Sequence, residues 1–107
     1  LPISEALLQQ SVLAGVGNIA KSEILFRARL DPRLKATDLM KEQMDCLIKM
    51  IPAVLWDSYK VGGRWECQVY QRRGKKCHVC GIRVRSIALP PSKRATYFCP
   101  KCQRIPR

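Results

Sequence analysis

No run of about 18 consecutive apolar residues occurs in the chain, which excludes a hydrophobic membrane-spanning helix. No basic-then-apolar leader marks a secretory signal. Internal repeats and low-complexity tracts are also missing, so solenoid and fibrous architectures fall away. The first residue is Leu1 rather than Met, and the expectation is a fragment or a processed piece. The expected compartment is the cytoplasm or nucleoid, or the nucleus in a eukaryote. At 107 residues the chain holds one domain or two small ones. The scarcity that says most is of acidic residues: residues 60–107 contain a single acid, Glu66, beside thirteen Lys and Arg. Residues 1–59 are balanced, with seven acids against Lys21, Arg27, Arg29, Arg33, Lys35, Lys41 and Lys49. The formal net charge of +12 therefore lies wholly in the C-terminal part, which points to a polyanionic partner, most often nucleic acid. The bland alternative is a solubilising tail.

Hydrophobic spacing divides the chain. Ser4 can cap a helix over 5–14, with Leu7, Leu8, Val12 and Leu13 as its apolar stripe. Gly15-Val16-Gly17 breaks it, and Asn18 can cap a second helix over 19–30 with Ile24, Leu25 and Ala28 inward. Asp31-Pro32 ends that helix in a turn. Thr37 is expected to cap a third helix whose core stripe is Met40, Met44, Leu47, Ile48, Ile51 and Leu55. Pro52 should kink or restart it, and Gly62-Gly63 closes the helical part. Beyond Gly63 the period changes. Residues 67–71, 82–89 and 95–98 read as short strands, the last two joined through Pro90-Pro91-Ser92. The expected fold class is mainly α with a small β-hairpin unit, divided into residues 1–63 and 64–107.

Cys77-His78-Val79-Cys80 and Cys99-Pro100-Lys101-Cys102 form two CxxC pairs separated by 18 residues. Two intervening residues let both thiolates of a pair turn onto one ion, and four sulfurs close a tetrahedron typical of structural zinc. Gly81 suits the tight knuckle after the first pair. A disulfide framework would need a secreted protein, a redox pair would need one CxxC on a βα turn, and iron–sulfur ligation uses other spacings. Four cysteines leave no open coordination position, so the expected zinc ion is structural and supplies much of the folding free energy of a small unit. His78 reads as a surface residue, and Cys46 and Cys67 as ordinary partly buried thiols.

Helix, Gly15-Val16-Gly17-Asn18, helix is the second signal. Glycines allow close backbone approach, and the following helix offers unpaired N–H groups to an anion such as a phosphate. A tight inter-helix turn with an Asn cap is the plain alternative.

The stretch Leu8-Gln9-Gln10-Ser11-Val12-Leu13-Ala14-Gly15-Val16-Gly17-Asn18-Ile19, followed by Ser22-Glu23-Ile24-Leu25-Phe26-Arg27-Ala28 and Asp31-Pro32, resembles the helix–two-turn–helix of the formamidopyrimidine-DNA glycosylase and endonuclease VIII family. Val69-Tyr70, Arg72-Arg73-Gly74, Cys77-x-x-Cys80-Gly81 and Arg94-Ala95-Thr96-Tyr97-Phe98-Cys99-Pro100-x-Cys102-Gln103 resemble that family's zinc finger. The resemblance covers nearly the whole chain and corresponds to the family's C-terminal half. It implies a helix–two-turn–helix bundle followed by a four-cysteine zinc finger, with Cys77, Cys80, Cys99 and Cys102 on one zinc. It implies that Asn18, with turn amides near Gly15 and Gly17, contacts a phosphate beside the lesion, and that Arg94 grips phosphates flanking an extruded nucleotide. Lys21 and Lys93 complete the candidate contacts. An arginine at a hairpin tip also suits two phosphate oxygens on chemical grounds, through its planar fork.

The family's nucleophile is an N-terminal proline followed by glutamate, and no Pro-Glu occurs here, since Pro2 precedes Ile3. The expectation is a damaged-DNA-binding module of a base-excision glycosylase with AP lyase activity, inactive alone. The short connection between Gly63 and Val69, and Ala20-Lys21, lean toward the endonuclease VIII branch. The expected partner is damaged double-stranded DNA, bound by a monomer and without a membrane. The alternatives are a non-enzymatic zinc-ribbon/helix-hairpin-helix module for nucleic acid and a zinc domain for protein partners.

Overall fold

A computed structural model of the chain describes residues 2–4, 17–60 and 67–103. The expected first helix over 5–14, the Gly15 turn and Gly62-Gly63 lie outside the described residues. Four elements of regular structure organise the rest: helix α1 (Gly17–Ala28), helix α2 (Lys41–Lys60), strand β1 (Arg85–Ala88) and strand β2 (Ala95–Phe98), with a 3-10 turn at Ala36–Asp38.

Helix α1 begins two residues before the expected start, with Asn18 inside it. Every residue from Ala20 to Phe26 is buried. A helix buried on all sides belongs at the centre of its domain, and α1 feeds two apolar clusters. Ala20, Ile24 and Leu25 pack with Ile3, Leu30, Leu34, Leu47 and Val54. Phe26 packs instead with Val69, Cys77, Val84 and Cys99. Each large apolar side chain fully buried this way contributes about 1.5–3 kcal/mol.

The C-terminus of α1 is a Schellman cap. The Leu30 N–H donates to the Leu25 carbonyl at 3.0 Å and the Arg29 N–H to the Phe26 carbonyl at 3.1 Å. Arg29 takes the left-handed position at φ 60°, where glycine is the usual occupant. The expected turn at Asp31-Pro32 follows.

Thr37 does not cap the next helix: it lies in the 3-10 turn, closed by the Asp38 N–H on the Lys35 carbonyl at 2.9 Å. Helix α2 starts at Lys41, and the Gln43 side chain reaches back to accept from the Met40 N–H at 2.8 Å. That is half of a capping box, with glutamine three residues beyond the cap. Pro52 does not break α2, which runs 20 residues through it. Proline removes the bond to the carbonyl of Ile48, but both residues are exposed, so water can take that carbonyl. Leu47 and Val54 supply the buried contacts of α2, flanked by half-buried Met44, Met50, Ile51 and Leu55. Met40 and Ile48, expected in the core, are 61% and 58% exposed. Arg27 and Asp57 tie the two helices with an ion pair at 2.7 Å.

Strands β1 and β2 form an antiparallel hairpin with Arg85 opposite Phe98 and Ala88 opposite Ala95. The connecting turn contains a cis Pro90–Pro91 bond. Residues 67–71, expected as a strand, form a bend and turn, for a reason that lies in α1.

Candidate nucleic-acid interface

The two CxxC segments fold into facing knuckles. In the first, the Cys77 N–H donates to the Ile82 carbonyl at 2.7 Å and the Gly81 N–H to the Cys77 carbonyl at 2.9 Å, with Gly81 at φ 80°. In the second, the Gln103 N–H donates to the Cys99 carbonyl at 2.9 Å. Backbone N–H groups of Val79 and Cys102 point at the sulfurs of Cys77 and Cys99, each at 3.4 Å. All four sulfurs lie within 4.8 Å of one another. The Cys77–Cys102 and Cys80–Cys99 sulfur separations are 3.8 and 3.3 Å. A tetrahedron with metal–sulfur bonds near 2.3 Å has edges of about 3.8 Å, so this cage fits one zinc ion. Zinc is the cofactor.

The thiols are electrostatically unequal. A backbone hydrogen bond from Ile82 draws Cys80 down to about 7, opposed by burial and helped by its thiol neighbours. Burial first, then the surrounding thiols, pushes Cys102 up to about 12, and burial also raises Cys99. A coordinated divalent cation overrides this order, because a ligating sulfur is deprotonated outright.

Polar side chains of the helical part hold the finger in place. Glu23, 1% exposed on α1, accepts three successive backbone N–H groups: Gln68 at 2.8 Å, Val69 at 3.0 Å and Tyr70 at 3.1 Å. Converging three amides on one carboxylate requires a turn, which is why the alternating sequence at 67–71 is not a strand. Ser22 accepts from the Tyr97 N–H at 3.2 Å. Gln103 is fully buried. Its oxygen accepts from the Cys99 N–H at 2.8 Å, and its amide donates to the Leu30 carbonyl at 3.0 Å. One side chain thus links a zinc knuckle to the end of α1. Arg33, raised in pKa by its hydrogen bonds to Asp31, grips that buried carboxylate with two guanidinium nitrogens at 2.9 and 2.7 Å. The same guanidinium lies 5.9 Å from the Phe98 ring centre. Tyr70 and Tyr97 meet edge to face at 5.3 Å.

Sequence reasoning missed this set. Its one visible sign was the polar run Lys21-Ser22-Glu23 between apolar Ile19-Ala20 and Ile24-Leu25-Phe26.

Lys93 and Arg94 are exposed at the hairpin turn, directly before β2. Lys93 is left-handed at φ 56°, and the Arg94 N–H is fixed by the Ser92 hydroxyl at 3.2 Å. The turn therefore aims two cations outward from a stiff base. Lys21 is different: at 1% exposure it is not a surface cation, because α1 is buried on the side that carries it. Gly17 and Asn18 form the first turn of α1, and Gly15 lies outside the described residues. The ordinary reading of Cys67 agrees with its surroundings: burial and the Glu23 charge push its thiol up to about 11. His78 is exposed, also as expected. No helix among the described residues is long and apolar enough to cross a membrane.

Comparisons with known proteins bear on the arrangement. The family described as "Formamidopyrimidine-DNA glycosylase H2TH domain" matches residues 1–67, and "Zinc finger found in FPG and IleRS" matches residues 74–105. The chain is 36% identical to formamidopyrimidine-DNA glycosylase of Bordetella avium, over 95% of this chain and 42% of that protein. It is 35% identical to the protein of the same name in Enterobacter sp. strain 638, over 96% and 44%. Lactococcus lactis Fpg in complex with DNA containing an abasic site superposes with a TM-score of 0.87 at 32% identity, covering 96% of this chain and 42% of that one. The complex of that enzyme with DNA containing an oxidised pyrimidine gives 0.87 at 33%. The chain thus spans less than half the length of these relatives and corresponds to their C-terminal part. The relatives named here carry the formamidopyrimidine name, so the lean toward the endonuclease VIII branch gains no support.

Proposed function

Since the chain belongs to the formamidopyrimidine-DNA glycosylase family, we propose that it is the backbone-gripping, DNA-binding module of a base-excision DNA glycosylase with AP lyase activity. The observation that carries this reading is the zinc-fixed hairpin that holds Lys93 and Arg94 outward while Gln103, Ser22 and Glu23 lock its base to α1. A damaged base must leave the stack before chemistry can reach it, so the duplex must be held kinked while the nucleotide is out. Rigid donors at two separated points on the sugar–phosphate chain do this. Arg94 offers a planar fork to two phosphate oxygens, and Lys93 adds charge beside it. The N-terminus of α1, at Gly17 and Asn18, supplies amide donors to a second phosphate. Lys21 is left out of this set because it is buried.

Zinc, held by Cys77, Cys80, Cys99 and Cys102, supplies stiffness and no chemistry, because its four positions are filled. The proposed division is a helical unit over 1–63 and a finger over 64–107. The proposed setting is the cytoplasm or nucleoid, where damaged duplex is found, with the chain a monomer. No Pro-Glu nucleophile pair occurs in these residues, so base removal and strand cleavage are assigned to the parent protein and not to this chain.

The test is binding of the zinc-loaded chain to a duplex with an abasic analogue, with and without Arg94→Ala. The expected result is a loss of about tenfold to a hundredfold, since a charge-assisted bidentate contact is worth about 1.5–3 kcal/mol. Equal affinity of the two proteins would remove Arg94 from the interface. A non-enzymatic nucleic-acid module would bind structured RNA as well as duplex DNA at matched salt.

A further inference from the structure

The proposed contacts use two finger cations, yet residues 67–103 carry nine Lys and Arg and no acid at all. One of the others, Arg72, is occupied by the finger itself, donating to the carbonyls of Gln68 and Lys76, whereas Arg83 commits Nη1 to the carbonyl of Gly74 and stays exposed. The base of the finger is a short antiparallel ladder. The Cys77 N–H donates to Ile82, the Val84 N–H donates to Lys75 at 2.9 Å, and Lys76 bridges Arg83. That hydrogen-bond pattern makes Lys76 and Arg83 a non-hydrogen-bonded pair, the type in which facing side chains come closest. Both are exposed, and Arg85 follows, exposed, at the start of β1. Like charges placed directly opposite one another destabilise a ladder. Three residue steps of the hairpin lead from Arg85 to Ala88, about 10 Å along the strand, or about three phosphates on one strand of a duplex.

We propose that Lys76, Arg83 and Arg85 form a second phosphate-binding face at the base of the finger, which tracks the duplex backbone away from the nucleotide held by the tip. This rests on the reading of the chain as a DNA-binding module and extends it. The tip contacts the deformed site, whereas the base contacts ordinary backbone and carries no lesion information, as phosphate contacts do in general. The competing role for these cations is to balance the zinc–thiolate centre, whose four sulfurs and one divalent ion carry a net charge of minus two. That role needs no DNA.

The deciding experiment compares the zinc-loaded chain with Lys76→Gln/Arg85→Gln, leaving Arg83 and its bond to Gly74 in place. Affinity is measured for an abasic-analogue duplex and for the same duplex undamaged, across salt, with zinc content determined for each protein. Removing two phosphate contacts should flatten the slope of log affinity against log salt by about 1.8. Both duplexes should weaken by the same factor, so their ratio stays constant, and zinc content should not change. Lys76→Glu, which faces Arg83 with an opposite charge, should weaken binding more than Lys76→Gln alone while zinc stays bound. An unchanged slope, or a ratio that collapses, overturns the second face. Loss of zinc with unaltered DNA affinity per folded molecule also overturns it and makes these residues counter-ions of the metal centre. Failure of the unaltered chain to bind any duplex would instead strike the functional reading beneath it.

Discussion

Three residues show how individual groups hold the arrangement. Glu23 is the most consequential, because one buried carboxylate satisfies three amides from a segment 45 to 47 positions away. Glu23→Gln keeps the shape but replaces one acceptor oxygen with a donor that faces other donors. The expected cost is about 2–4 kcal/mol, with at least one N–H left buried and unpaired, read as a lower denaturation midpoint in urea. No change would mean that these bonds add nothing to the fold. Arg29 makes the opposite case. Its left-handed backbone costs a non-glycine residue about 1 kcal/mol or more. Arg29→Gly should therefore raise stability by about 0.5–1 kcal/mol after the greater freedom of the unfolded chain is allowed for, and a drop would expose an unseen role for the arginine. Cys67 gives a pH dependence. Its folded thiol, raised to about 11, stands above the ordinary 9.0. The protonated form is thus favoured on folding, so this contribution is complete below pH 9 and is lost as pH climbs through 11. Between about pH 8.5 and 11, wild-type stability should fall more steeply than that of Cys67→Ser.

At the scale of elements, the finger and the central helix behave as one body, and Gln103 is the joint between metal and helix. Gln103→Leu should lower zinc retention and also loosen the end of α1, seen as faster amide exchange at Leu30. A change confined to the knuckles would show that the two elements are independent. Zinc affinity should itself fall as pH is lowered, since protons compete for the ligand sulfurs. The finger was legible in the sequence because a CxxC pair is a local signal: spacing alone brings two sulfurs to one ion. The place of α1 was legible for the same reason, although it runs over Gly17–Ala28, two residues earlier at each end than the expected 19–30. What the sequence hid depends on distant partners. Residues 67–71 have strand-like alternation, but a carboxylate from α1 bends them. Thr37 is a good cap by type, yet Gln43 reaches back to close the start of α2 further along. Ile48 fits an apolar repeat, but packing against α1 selects Leu47 and Val54, and a continuous helix can present only one face there. Lys21 looked like a surface cation because nothing local says that α1 is surrounded.

For the molecule as a whole, the decisive quantity is where charge sits relative to stiffness. The helical part is neutral in sum, and the formal net charge of +12 belongs to residues 60–107. A metal with four cysteine ligands fixes the nine cations of residues 67–103 on a finger instead of leaving them on a mobile tail, and the α1 contacts fix the finger. Phosphate binding by such a surface must weaken with salt, and its strength must depend on the metal that keeps the surface in shape. The most direct test is to titrate a duplex containing an abasic analogue with zinc-loaded and metal-stripped chain over a range of salt. The account predicts a slope of log affinity against log salt near −4 to −5 for the zinc form, from about five neutralised phosphates, with affinity and preference for the damaged duplex both lost on stripping and recovered on adding zinc back. Binding by the stripped chain that is as tight and as selective as by the zinc form would contradict it.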